Sequence, residues 1–253
     1  MRKTLFSGIA ACLLATAATA AEQSPSVIWT VGQADRSASE FALAPDRFRD
    51  FLANDFGYED KYFLVGHSVP AADFPYVLPG PADTWGGTWP TSGWRTHQVN
   101  ILFGLKEIPS DGTCTLVVDL LDYAKNFLPL VKVSVNTQDA KFQLDAPGLC
   151  VADQRKPNQM EKIVDTLSIT GNLAKATPRR LEIPIRPGVL KAGGNEVTIT
   201  VLEGSWILFD RVSLEGPAGT NVEQPQQLFI RNIEAAPYEP VSYTHLTLPT
   251  ILR

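Results

Sequence analysis

A chain of 253 residues with 44 % apolar side chains is long enough for one or two domains with a real hydrophobic core. Its formal net charge of −5, with no basic run or Lys/Arg cluster, excludes a nucleic-acid or anionic-membrane binder. Polyanionic sugars remain open, because a few local Arg or Lys residues suffice to hold a carboxylate.

Residues 1–20 read as a secretory signal peptide: Arg2 and Lys3 form the basic end, Leu5 to Thr16 the apolar stretch, and Ala18, Thr19 and Ala20 a small-residue cleavage site. The run is too short to span a bilayer. Ile9, Ala10, Ala11 and Cys12 resemble a lipoprotein cleavage box, but the apolar run continues past Cys12 and simple export to the periplasm or outside the cell is the expectation. Removing the signal leaves Cys114 and Cys150, for which a disulfide and a buried thiol pair are both open.

The segment 21–215 then breaks into short apolar or alternating runs separated by turn residues. Val27–Val31 and Glu40–Ala44 read as strands, and Phe48, Phe51, Leu52 and Asp55 lie at helical spacing within Pro45–Phe56. Tyr62–Val65 is a strand that opens into a Gly-, Pro-, Asp- and Trp-rich run ending at His97. Such a long irregular run usually either binds something or is disordered. Disorder predicts few aromatics, whereas Phe74, Tyr76, Trp85, Trp89 and Trp94 all sit here. Flat rings on a Pro-stiffened loop suit the apolar face of a sugar, with Tyr76, Trp85, Trp89 and Trp94 as stacking platforms and Asp83, Arg95 and His97 bonding hydroxyls. The opposing reading is that the rings turn inward and cap one end of the core.

His97–Leu105 alternates cleanly, followed by Thr113–Leu120, Leu130–Val135, Lys141–Leu144, the weakly alternating Ile163–Thr170, Arg180–Ile185, Glu196–Glu203 and Trp206–Leu214. Short strands, 18 Gly, 19 Pro and almost no helical period predict an all-β, antiparallel jelly-roll β-sandwich of the galactose-binding or carbohydrate-binding-module kind. Residues 216–240 read as a linker to a further domain, with one added strand at Gln227–Arg231. Residues 241–253 look foreign: Val241–Thr250 back-translates onto the reverse complement of a sequencing-library transposase adapter, so Tyr243 and His245 are given no functional weight.

In the last strand, period two places Asp210 beside Trp206, Leu208, Val212 and Leu214. A carboxylate among apolar neighbours needs a cation or several donors. A calcium ion held by Asp210 with Glu40 or Asp35 is one solution; backbone N–H groups or Arg36 are the other.

Three stretches carry a family resemblance: Ile28, Trp29, Gly32, Asp35, Ser39, Glu40 and Phe41; then Phe74, Pro75, Tyr76, Pro79 and Gly80; then Gly193 to Asn195 with Gly204, Ser205, Trp206, Phe209, Asp210, Leu214 and Glu215. Together they resemble the carbohydrate-binding-like β-sandwich, the third domain, of rhamnogalacturonan lyases of polysaccharide lyase family 4, over roughly Ile28 to Leu214. In that family the sandwich follows the catalytic domain, whereas here it follows the signal directly. The resemblance implies a binding or stabilising role for the sandwich and places no catalytic residue in it; the expectation is an exported monomer whose partner is a pectic or other uronate-containing polysaccharide. Two alternatives stand beside it. The domain could itself perform β-elimination on a uronate, with His67 or His97 as base, Tyr76 as acid and Arg95 neutralising the carboxylate. Or it could be a structural sandwich whose Trp-rich run packs on a neighbouring domain.

Overall fold

The computed structural model describes residues 26–47, 60–83, 98–108, 113–145 and 168–223. These form two five-stranded sheets packed face to face, the β-sandwich the sequence predicts. The strands are β1 (Ser26–Gly32), β2 (Lys61–Leu64), β3 (Val77–Leu78), β4 (Gln98–Leu105), β5 (Thr115–Tyr123), β6 (Leu130–Val135), β7 (Gln138–Gln143), β8 (Arg179–Pro184), β9 (Gly193–Glu203) and β10 (Ile207–Gly216). One sheet has the order β1-β10-β5-β8, with β3 also paired to β10; the other has the order β2-β4-β9-β6-β7.

Alternation decides which side chains face the core. In β4, Val99, Ile101, Phe103 and Leu105 are buried in the core, and Val197, Ile199 and Val201 of β9 and Val131, Val133 and Val135 of β6 join them. The other sheet answers with Leu116, Val118, Leu120, Val212 and Leu214. In β10 the alternation breaks: register shifts flank Phe209, and Leu208 and Phe209 are both fully buried.

One pairing departs from the antiparallel expectation. β2 runs parallel to β4, with Tyr62 opposite Asn100 and Phe63 opposite Ile101. Parallel neighbours cannot be joined by a hairpin and need a long crossover. The aromatic run after Leu64 is that crossover, and its described half is not irregular. It makes a single helical turn, α1 (Pro70–Asp73), then β3, which adds to the opposite sheet through Leu78–Ile207 and Val77–Leu208. Between them Phe74 is fully buried, 5.3 Å from the Phe41 ring, 5.8 Å from Phe63 and 5.1 Å from Phe209. The last two contacts are edge-on, the geometry that ring quadrupoles favour.

The expected strand at Glu40–Ala44 is a turn instead. Leu43 sits at φ 53°, which no strand tolerates, and the segment keeps a single bridge from Ala42 to Pro75. Within Pro45–Phe56 the described part is one short 3-10 turn, Pro45–Arg47. Residues 168–171 are likewise a turn rather than the end of a strand. After β10 the chain stays on the sandwich: Glu223 N–H bonds Gly104 O at 3.0 Å and Val222 packs on the core. Cys114 is a buried free thiol whose titration burial pushes upward. Cys150, the signal segment, the strand expected at Gln227–Arg231 and the 241–253 tail lie outside the described residues.

If Phe74 is the plug between the sheets, Phe74→Ala should cost about 3–5 kcal/mol of unfolding free energy in a denaturant titration. A loss below about 1 kcal/mol would show that the crossover does not hold the sheets together.

Candidate functional site

Of the site predicted from sequence, the described part of the crossover holds Tyr76 and Asp83. Gly80 lies against Gly204 and Ser205, so two of the stretches that carry the family resemblance meet in space. A Cβ on Gly80 would stand 2.5 Å from Gly204 O and 2.7 Å from Ser205 O; one on Gly204 would stand 2.3 Å from Leu128 O. Gly204 also holds φ 79°, which only glycine adopts without strain. Three backbones therefore close on one another with no room for a side chain.

Asp83 fastens this junction. Its carboxylate accepts the Gly80 N–H at 2.8 Å and the Ser205 hydroxyl, while Asp83 N–H bonds Gly80 O at 3.0 Å and Ala82 N–H bonds Gly204 O at 2.8 Å. Ser205 N–H in turn bonds Phe127 O at 2.9 Å, and Ala124 N–H bonds Trp206 O at 3.0 Å. Asp83 was expected to orient a sugar; at 8 % exposure it is instead the latch at the root of the Trp-rich segment.

Tyr76 requires a clearer correction. It was expected to be a stacking platform, or an acid for elimination, and it is fully buried. Its hydroxyl donates to Ile169 O at 3.1 Å, and burial pushes the phenol far above its ordinary range. A ring with no exposed face can neither stack on a sugar nor hand a proton to one. The inward reading thus holds for Phe74 and Tyr76. Trp85, Trp89, Trp94, Arg95 and His97 lie outside the described residues. His67 is exposed just after β2.

The first stretch of the resemblance meets the third at Asp210. A Cβ on Gly32, at φ 79°, would stand 2.4 Å from the tip of Phe41 and 2.5 Å from Asp210 O. Asp210 accepts the Arg36 N–H at 3.0 Å, Glu40 accepts the Gln33 N–H at 2.9 Å, and Asp35 accepts the Ser37 N–H at 2.9 Å. Each carboxylate thus accepts a backbone N–H of the turn; for Asp210 this is the second of the two solutions open from the sequence, a backbone donor rather than a calcium ion held with Glu40. Among the described residues no group of three or more His, Cys, Asp or Glu side chains could hold a metal ion. Burial raises the Asp210 pKa to about 6; the Arg36 N–H opposes the rise, and the negative charges of Asp35, Asp119 and Glu40 add to it.

Comparison with known proteins gives one family: the one described as CBM-like, polysaccharide lyase family 4, domain III, matches residues 27–214. No curated protein matches the chain. Among solved structures it is similar to BtGH115A, described as a family GH115 4-O-methyl-α-glucuronidase with specificity for decorated arabinogalactans, at 16 % identity and a TM-score of 0.29. That match covers 47 % of this chain and 14 % of the other. A second is dimeric latent PorU from Porphyromonas gingivalis, at 12 % identity and a TM-score of 0.26, covering 50 % of this chain and 10 % of that one.

Two outcomes test the junctions. Asp83→Ala strands a buried N–H and a buried hydroxyl and should cost about 2 kcal/mol, with Asp83→Asn recovering part of the loss because one acceptor remains; equal stability of wild type and Asp83→Ala would remove the latch. For Asp210 the folded pKa lies above the unfolded one, so its ionisation opposes folding: stability falls as pH rises from about 4 through about 6, by up to about 3 kcal/mol. Asp210→Asn keeps an acceptor for Arg36 N–H, so it should raise the melting temperature at pH 7 and flatten the pH profile between 4 and 6. A lower melting temperature at pH 7 would mean that the charge is compensated.

Proposed function

Because the chain belongs to the CBM-like domain III family of polysaccharide lyase family 4, we propose that it is an exported carbohydrate-binding module serving a polysaccharide-degrading enzyme of the rhamnogalacturonan lyase type. The observation that carries this reading beyond the family is the construction of the junction at Asp83. Three backbones brought together at two glycines, and a buried carboxylate, fix the root of a segment in which Trp85, Trp89 and Trp94 fall within ten residues of one another, ending at Arg95. A rigid root lowers the entropy lost when the segment engages a ligand, which is the advantage of preorganisation.

In this reading the indoles are platforms for pyranose faces and Arg95 pairs with a uronate carboxylate, in the periplasm or outside the cell. The ligand is a pectic or other uronate-containing glycan. No helix among the described residues is long and apolar enough to cross a membrane. The elimination alternative has lost its acid, since Tyr76 is enclosed, and the module is read as non-catalytic.

Affinity electrophoresis in gels containing rhamnogalacturonan or arabinogalactan checks this directly. Trp89→Ala and Trp94→Ala should each weaken retention about tenfold, the loss of roughly one stacking contact. Unchanged mobility of both variants, with wild type retained, would move the binding site off this segment.

A further inference from the structure

The two outer faces of the sandwich differ in what they leave available. On the β1-β10-β5-β8 sheet the charges are spent on one another. Asp119 stands between Arg211 on β10 and Arg180 on β8, at 2.9 and 3.5 Å, and Glu215 closes the ring to the same two guanidinium groups at 3.4 and 3.6 Å. Val117 and Ser213, on that outer face, are 1 % and 0 % exposed. That face is roofed by its own arginines.

The β2-β4-β9-β6-β7 sheet is different. Since Val99, Ile101 and Phe103 face the core, Asn100 faces outward, and the strand registers place it in a straight row across all five strands: Tyr62, Asn100, Thr198, Ser134, Asp139. Four interstrand steps make this row about 19 Å long, enough for a short run of sugar units rather than a single one. The next row, Gln98, Thr200, Lys132 and Lys141, runs alongside it, with Asp60 bonded to Gln98 at one end. Tyr62 is 44 % exposed, a large ring at the edge of an otherwise hydroxyl- and amide-lined surface.

Asn100 is the member that a purely structural face does not explain. The Thr198 hydroxyl donates to its Oδ1 at 2.9 Å, yet its Nδ2 is buried with no hydrogen-bond partner. A buried amide donor left unpaired is destabilising, so the position calls for an acceptor. The donor is buried, so an incoming hydroxyl reaches it as the side chains over it move aside. Charge then selects the ligand. The two rows with Asp60 carry two ammonium groups, Lys132 and Lys141, and two carboxylates, Asp60 and Asp139, with Lys132 and Asp139 paired at 3.0 Å. No net charge is left to attract a uronate, whereas amides, hydroxyls and paired charges suit sugar hydroxyls.

We propose that this face is a second glycan-binding surface, taking a neutral, extended oligosaccharide along the row from Tyr62 to Asp139. The proposal goes beyond the Trp-rich segment and stands on different residues. Its test is calorimetric titration of the full chain with neutral galactan-, arabinan- and xylan-derived oligosaccharides of increasing length and, separately, with polygalacturonate. At least one neutral series should bind with affinity that rises with chain length and is insensitive to salt. Tyr62→Ala, a substitution at an exposed position, should weaken that binding about tenfold. The Asn100 side-chain amide signals should shift in NMR spectra on titration. Loss of that binding in Trp89→Ala but not in Tyr62→Ala would overturn the proposal and leave the Trp segment as the site. Loss in Tyr62→Ala but not in Trp89→Ala supports it and counts against the segment. Absence of Tyr62-dependent binding throughout the neutral panel, or polygalacturonate as the only Tyr62-dependent ligand, would also overturn it.

Discussion

The parallel pairing of β2 with β4 governs the described part of this molecule. Once β2 and β4 run in the same direction, the chain between them must leave its sheet, travel and return. It does so by visiting the other sheet, laying Val77 and Leu78 against the start of β10 and driving Phe74 between the layers. The long run that looks in the sequence like a loop is thus, through Asp83, a structural clasp.

That constraint explains why the stretches that carry the family resemblance are so recognisable. Gly32 lies where Phe41 and Asp210 O leave no space for a Cβ, and Gly80 and Gly204 lie where three backbones meet. Phe41, Phe74 and Phe209 form one cluster. The stretches come from the beginning, middle and end of the sandwich and touch one another in pairs. They are signatures of how the fold closes, not of a ligand. Membership of the family rests on the match over residues 27–214, while the sugar-contacting surface has to be argued from residues outside those stretches.

Much of the fold was legible in the sequence because strand alternation is a local signal. Val99, Ile101, Phe103 and Leu105 announce β4, and Val131, Val133 and Val135 announce β6. What escaped depends on distant partners. The parallel pairing has no local mark, since Tyr62 and Asn100 become neighbours only through the crossover. Leu43 looks like a strand residue by side-chain type, yet its backbone is held in the left-handed region. Tyr76 and Asp83 have the residue types of a sugar site, but one is drawn into the core by the β3–β10 pairing and the other by two donors brought to it by Gly80 and Ser205. The Asn100 row was missed for the same reason: its members come from five strands, and no window of sequence contains two of them with that meaning.

The central claim is that the indoles of the Trp-rich segment are presented to a saccharide from a fixed root. Trp29 and Trp206 are 5 % and 2 % exposed, so quenching of tryptophan emission by acrylamide reports chiefly on Trp85, Trp89 and Trp94. The account predicts a substantial quenchable fraction that becomes shielded when a pectic glycan is added. Emission already shielded without glycan, or quenching unchanged by a glycan that the protein retains in a gel, would contradict it.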